Sequence, residues 1–224
     1  MNRRLEAIAA LVQSGKGLID VGTDHGYLPT ALALSGYPGR LCASDINAGP
    51  LAAARRTAAE AGVSDRISFL LCDGLSLCPR EEIDTIVVAG MGGDLIVKIL
   101  DDAEWCLDGR YRLILQPMTK AEVLRYWLIY NGFGIESEIL TEDAGRLYQI
   151  ICAAYGGSTG LGDAELFIGK RSLCPSLSLY DRQLESLARR FEKMLTGMER
   201  RRDSPHYRLT LEIWEQLQNL RRQT

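Results

Sequence analysis

The chain has 224 residues, 46% of them hydrophobic and 25% charged, with a formal net charge of −3. That length supports one full core and a smaller appendage, and that balance excludes a disordered or low-complexity chain. The longest apolar runs are broken by charge or glycine well short of the roughly 20 residues that span a bilayer. No apolar signal block follows Met1–Glu6, so a cytoplasmic location without membrane attachment is expected. Six cysteines stand singly, without C-x-x-C spacing and with only two histidines to help them, which predicts reduced packing thiols and no metal.

In chain order, an opening helix from Asn2 to Ser14 precedes seven strand candidates: 17–21, 41–44, 67–71, 83–89, 111–115, 135–140 and 147–154. Helical patterns fall between them at 28–34, in the Ala-rich 50–61, and at 95–100 and 120–130. Alternation of strand and helix predicts an α/β fold, a parallel sheet covered on both faces. The last two strands leave no room for a helix between them and so should form an antiparallel edge hairpin around the loop Thr141–Arg146. The glycine-rich run from Tyr155 to Gly162 reads as a linker, which divides the chain into a domain over 1–157 and a helical one over 162–224. In the latter a short helix at 164–173 leads to a stripe of Leu184, Leu187, Phe191, Met194, Leu195 and Met198. Asp203-Ser204-Pro205 breaks it, and Ile213, Trp214, Leu217 and Leu220 mark a second stripe, so an antiparallel, coiled-coil-like helix pair is expected.

From Arg182 to Thr224 ten Lys/Arg stand against six Asp/Glu, a surplus of +4 on a body that carries −7. A basic tail on an acidic body fits either a nucleic acid partner or a solvated helix face.

The first strand ends in Asp20-Val21-Gly22-Thr23-Asp24-His25-Gly26-Tyr27-Leu28-Pro29, a tight loop before a helix. Gly22 and Gly26 allow a sharp turn and close backbone approach to a ligand. The spacing is not that of a pyrophosphate-binding G-x-G-x-x-G loop, and Asp24 stands where a phosphate would be repelled. A ligand with a cationic head fits better, which favours S-adenosylmethionine and disfavours NAD. Asp45, in Ser44-Asp45-Ile46-Asn47 at the end of the second strand, stands at the spacing where a carboxylate accepts both ribose hydroxyls. Asn47 is then the expected helix cap. Asp73, in Cys72-Asp73-Gly74, is expected to meet the adenine amino group, with Gly74 giving access. Gly90-Met91-Gly92-Gly93 ends the fourth strand at the position where strand order reverses, against the methionine portion or an incoming base. Gln116 and Pro117 follow the fifth strand at the same rim, as expected substrate contacts.

Taken together, these blocks resemble the bacterial tRNA adenine-N1 methyltransferases that modify adenine 22. The resemblance is carried by 20–29, 44–47, 72–74, 90–93 and Leu115-Gln116-Pro117-Met118, and extends in character to the C-terminal helices. It implies a seven-stranded Rossmann-like class I methyltransferase sheet, S-adenosylmethionine as cofactor and tRNA as partner, in a monomer or weak homodimer. The implied cofactor set is Asp20, Gly22, Asp24, His25, Gly26, Asp45, Ile46, Asp73, Gly74, Gly90, Met91 and Gly92. Asp24 and Tyr27 are the catalytic candidates, Asp24 as a carboxylate near the cofactor's ammonium or the base and Tyr27 as a stacking or hydrogen-bonding contact to the base. His25 either orders the loop or takes part in catalysis. The same loops leave room for a different methyl acceptor, or for a non-catalytic RNA-binding module.

Overall fold

A computed structural model describes residues 1–223. Thr224, the last residue of the expected helical domain, lies outside the described residues. Two units separate by internal packing, one from Met1 to Thr159 and one from Gly160 onward.

The first unit is built on a seven-stranded sheet. Helix α1 (Arg3–Leu11) is capped by Asn2, whose side chain accepts the Leu5 N–H, and stops well before the expected Ser14. Then come β1 (Gly17–Val21), α2 (Tyr27–Leu34), β2 (Arg40–Asp45), α3 (Ala48–Glu60), β3 (Ile67–Leu71), β4 (Thr85–Gly92), α4 (Gly93–Asp101), β5 (Arg112–Thr119), α5 (Ala121–Tyr130), β6 (Phe133–Asp143) and β7 (Arg146–Tyr155). Strand order is β3-β2-β1-β4-β5-β7-β6. β1 to β5 are parallel and β7 runs antiparallel to both neighbours. Every residue of β1 is buried, as expected for a parallel strand covered on both faces. The core over one face gathers Ile8, Leu18, Leu28, Leu41, Val87, Ile114 and Ile150. Ile8 brings α1 into that core, so α1 belongs to the sheet unit.

Strand ends differ from expectation where glycine and proline read as breakers. β4 continues through a bulge between Ala89 and Met91 as far as Gly92, and β5 continues with it to Thr119. Pro117, which has no N–H for a ladder, sits opposite Met91 at that irregularity. The β6–β7 turn shrinks to Ala144-Gly145, both with positive φ, which lets the two strands pair from Asp143 and Arg146.

The second unit holds α6 (Asp163–Ile168), α7 (Leu177–Gly197) and α8 (Pro205–Arg222). The expected helix over 164–173 ends early because Gly169 has φ +89, and a 3₁₀ turn follows at Arg171–Leu173. Ser204 caps α8, accepting the Tyr207 N–H, with Pro205 in the first turn. Tyr180, Leu184, Leu187, Ala188 and Phe191 of α7 are buried within this unit, as are Ile213 and Leu217 of α8. No helix among the described residues is long and apolar enough to cross a membrane.

Candidate functional site

Strand order reverses between β2-β1 and β4-β5, and ligands in open α/β sheets bind in the crevice at the carboxyl ends of the strands there. A cleft of about 590 Å³ opens at that point. The loop after β1 contributes Asp20, Gly22, Asp24, His25 and Tyr27 to its walls; the ends of β2 and β3 contribute Asp45, Ile46, Asp73 and Gly74; the end of β4 contributes Gly90 and Met91. Of the expected ligand set, those residues converge on one cavity.

Helix α2 starts from Gly26, whose φ is +66. A Cβ there would stand 2.8 Å from the Ala54 Cβ of α3, so this glycine secures helix packing and is not a wall of the cleft. The loop is closed by backbone bonds from Thr23 N to Ser44 O and from Gly26 N to Thr23 O. Asp24 holds φ +52, a left-handed conformation that side chains other than Asn and Asp adopt at greater cost. Its carboxylate stands out at the mouth, 3.8 Å from His25 Nε2. The His25 ring stacks on Tyr27 at a centroid distance of 5.4 Å and an interplanar angle of 17°. Tyr27 is 48% exposed, so this paired ring surface is open to solvent.

Asp45 does two things. Its Oδ1 accepts the Asn47 N–H at 2.8 Å, which shapes the turn into α3, while the residue still faces the cleft. The expected Asn47 side-chain cap does not form. Asp20 lies deeper, 6% exposed, with its Oδ2 accepting the Thr23 hydroxyl at 2.7 Å. Burial pushes the Asp20 carboxyl up to about 7; the Thr23 bond and the Arg4 charge oppose that rise, and Asp45 adds to it. The unfolded chain gives up this proton near 3.8 and the folded chain near 7, so stability falls as pH rises through that window and is level above it. Asp20→Asn is expected to flatten that slope, read as urea midpoints between about pH 4 and pH 8.

Three expectations need correction. Gln116 is wholly buried, because β5 runs past it, and its amide serves the protein: Oε1 accepts from Arg4 Nη1 at 2.6 Å and from Gly90 N at 3.1 Å. Pro117 is buried in the same strand. Neither lines the cleft, against the expectation of a rim position. Gly92 packs toward Thr119 Oγ1 and, like Gly26, does not line the cleft. Conversely, α1 and its cap supply Asn2, Arg4 and Leu5 to the walls. No pattern in the sequence marked these, since helical periodicity identifies an apolar face and not one cation beside it.

Residues 1–151 match the family described as a methyltransferase domain. The chain belongs to that methyltransferase family. The tRNA (adenine(22)-N(1))-methyltransferase of Bacillus subtilis is 35% identical over 156 residues, which span 70% of this chain and 66% of that protein. A Streptococcus pneumoniae protein solved in complex with S-adenosyl-L-methionine superposes with a TM-score of 0.85 at 28% identity, covering 99% of both chains. The crystal structure of the B. subtilis m1A22 tRNA methyltransferase TrmK gives 0.80 at 26% identity, covering 99% of this chain and 96% of that one. The methyltransferase sheet and the C-terminal helices expected from the sequence are thus both shared, and the structural likeness reaches well past the segment that the family description covers.

Proposed function

We propose that the chain is an S-adenosylmethionine-dependent methyltransferase that methylates N1 of adenine 22 in tRNA. The observation that carries this reading is the cleft itself: among the described residues, four aspartates, 20, 24, 45 and 73, and a single Arg or Lys, Arg4, line one cavity at the sheet's switch point. That charge pattern suits a ligand bearing a cationic centre, two ribose hydroxyls and a zwitterionic amino acid, and it disfavours a pyrophosphate. The residues present therefore fit the cofactor named for the pneumococcal relative, and the acceptor follows from the B. subtilis relatives.

The cofactor supplies an electrophilic methyl group on a sulfonium. Neutral adenine N1 carries a lone pair in the ring plane, so no base has to remove a proton; the carbon–sulfur bond breaks toward sulfur as the N1–carbon bond forms, and the ring ends as a cation. The protein's task is then alignment and charge placement. Asp45 holds the ribose and Asp73 the adenine edge of the cofactor. The exposed Tyr27 ring, backed by His25, gives the target base a face to stack on, and Asp24 stands at the same mouth. N1 is paired inside a duplex, so the base is taken up unpaired or flipped, at a cost of a few kcal/mol.

Incubation with methyl-labelled S-adenosylmethionine and tRNA should yield labelled 1-methyladenosine, and tRNA with adenine 22 replaced should yield none. Binding of the cofactor without label in any tRNA would assign the site to another acceptor. The C-terminal unit, with its +4 surplus from Arg182 onward and exposed Arg189, Arg190 and Lys193, is proposed to hold the tRNA backbone. Truncation after Gly160 is expected to preserve cofactor binding and to weaken tRNA binding, with a shallower salt dependence. Unchanged tRNA affinity would remove the helices from the interface.

A further inference from the structure

Among the described residues, three other than glycine hold a positive φ: Asp24, Ala144 and Lys120. Ala144 belongs to the β6–β7 turn, and Asp24 lines the cleft. Lys120, with φ +53, joins the end of β5 to α5. Lysine occupies the left-handed region at a cost that asparagine, aspartate or glycine would reduce. The joint is tight: a Cβ on Gly93 would collide with Lys120 O, and the same carbonyl accepts the Val123 and Leu124 N–H groups at 3.2 and 3.4 Å. The first residue of α4 and the first turn of α5 thus fix the Lys120 backbone between them.

The parallel strands also sort the charges of this unit. Lys16, Arg40 and Arg112 precede or open strands at the amino ends, whereas the aspartates of the cleft lie toward the carboxyl ends. An RNA strand that brings a base to the cleft therefore approaches an acidic edge, and its phosphates need a cation there. At the end of β5 that cation is Lys120. Its ammonium pairs with the carboxylate of Asp94, in the first turn of α4. Leu95, next to Asp94, lines the cleft, so the pair is anchored one residue outside it. Both side chains are more than half exposed, and an exposed pair of this kind contributes little to stability. Asp94 does not depend on Lys120 alone, because a carboxylate in the first turn of a helix is favoured by the unpaired N–H groups there. The ammonium can thus pass to a phosphate at small cost.

We infer that Lys120 binds a backbone phosphate of the RNA strand beside the target base, and that Asp94 holds its ammonium at the rim until the strand arrives. This rests on the tRNA reading above.

The test is equilibrium binding of an unmodified tRNA transcript to the full chain over a range of salt. Lys120→Met should weaken binding by about 3- to 10-fold and reduce the salt slope by about one. Lys120→Arg keeps the charge and should stay within about twofold of wild type. Asp94→Asn should move the other way, strengthening binding by about two- to fivefold, because no carboxylate competes for the ammonium. Neither residue lines the cleft, so affinity for S-adenosylhomocysteine should stay unchanged in all three variants. The place of the contact is read with tRNA that carries neutral methylphosphonates on both sides of adenine 22. That tRNA should bind wild type more weakly than the unmodified transcript does, whereas Lys120→Met should lose less between the two. Thermal unfolding of each variant checks that it is folded.

Unchanged tRNA affinity and salt slope in Lys120→Met would overturn the inference. Weaker tRNA binding by Asp94→Asn would make the pair a structural brace and also overturn it. An equal loss on the methylphosphonate tRNA in wild type and Lys120→Met would put the lysine on a phosphate elsewhere, against the inference. Failure of the wild-type chain to bind tRNA while it binds S-adenosylhomocysteine would overturn the tRNA reading itself, an outcome distinct from the other three.

Discussion

Replacing Arg125 with methionine is expected to destabilise the protein by about 3 to 5 kcal/mol. Arg125 of α5 is fully buried and Glu138 of β6 nearly so. The guanidinium grips the carboxylate in two parallel bonds, Nε to Oε1 and Nη2 to Oε2, each 2.9 Å, and Nη2 also reaches Gln149 Oε1 of β7 at 2.6 Å. Removing the arginine leaves a carboxylate under the helix without its counter-charge, which costs far more than the pair contributes over an apolar substitute. The double variant Arg125→Met, Glu138→Leu should therefore recover most of the loss. Urea unfolding of the two single variants and the double one reads this directly. If the double variant is no better than either single one, the pair is net stabilising and the desolvation argument fails. None of the three residues lines the cleft, so affinity for the cofactor in the folded protein should not change. The pair also explains why the β6–β7 hairpin keeps its register. A slip by one residue would turn Glu138 and Gln149 to the opposite face, away from Arg125.

The sheet was legible because parallel strands are short apolar runs ending in glycine or acid, and the carboxyl end of each such run is where this fold places its ligand. Asp20, Asp45, Asp73 and Gly90 could be found that way without any long-range information. Gln116 could not. It stands one residue past the last apolar position of its strand and reads as a rim residue, but β5 is carried on to Thr119 by pairing with the bulged end of β4. An irregular ladder of that kind depends on two segments at once, and the Gly90 and Pro117 that make it possible look like terminators when each is read alone. Arg4 was hidden for a related reason. Its role is set by the docking of α1 through Ile8 and by Arg112 Nη1, which donates to the Leu11 carbonyl at 2.6 Å, and both are tertiary contacts. The division of labour at Asp45, part turn-former and part cleft wall, likewise appears only when the Asn47 amide is seen to bond to its side chain.

Asp24→Asn is expected to lower kcat by about 10- to 50-fold while leaving cofactor affinity within about threefold. The proposed reaction would move one positive charge from the sulfonium to the adenine ring, so a carboxylate would accelerate it only if it lies nearer the ring than the sulfur. A carboxylate about 4 Å from one centre and about 7 Å from the other, at an effective dielectric of about 20, favours the nearer by about 1.8 kcal/mol. That is about 20-fold in rate. Asp24 suits the ring side because its side chain is 71% exposed at the mouth of the cleft, next to the stacked His25 and Tyr27, whereas Asp20 is buried. Its left-handed backbone, φ +52, is retained in a loop that glycine would occupy with less strain, which is what a site needing a carboxylate there would show. Single-turnover rates and separate titrations of S-adenosylhomocysteine discriminate the two roles. A large loss of affinity with unchanged turnover would instead assign Asp24 to the cofactor's ammonium. Because the group is exposed, the wild-type advantage should also shrink as salt is raised, whereas Asp24→Asn should respond less. A carboxylate that merely shaped the loop would give no such salt-linked difference in turnover, since asparagine tolerates the same backbone conformation.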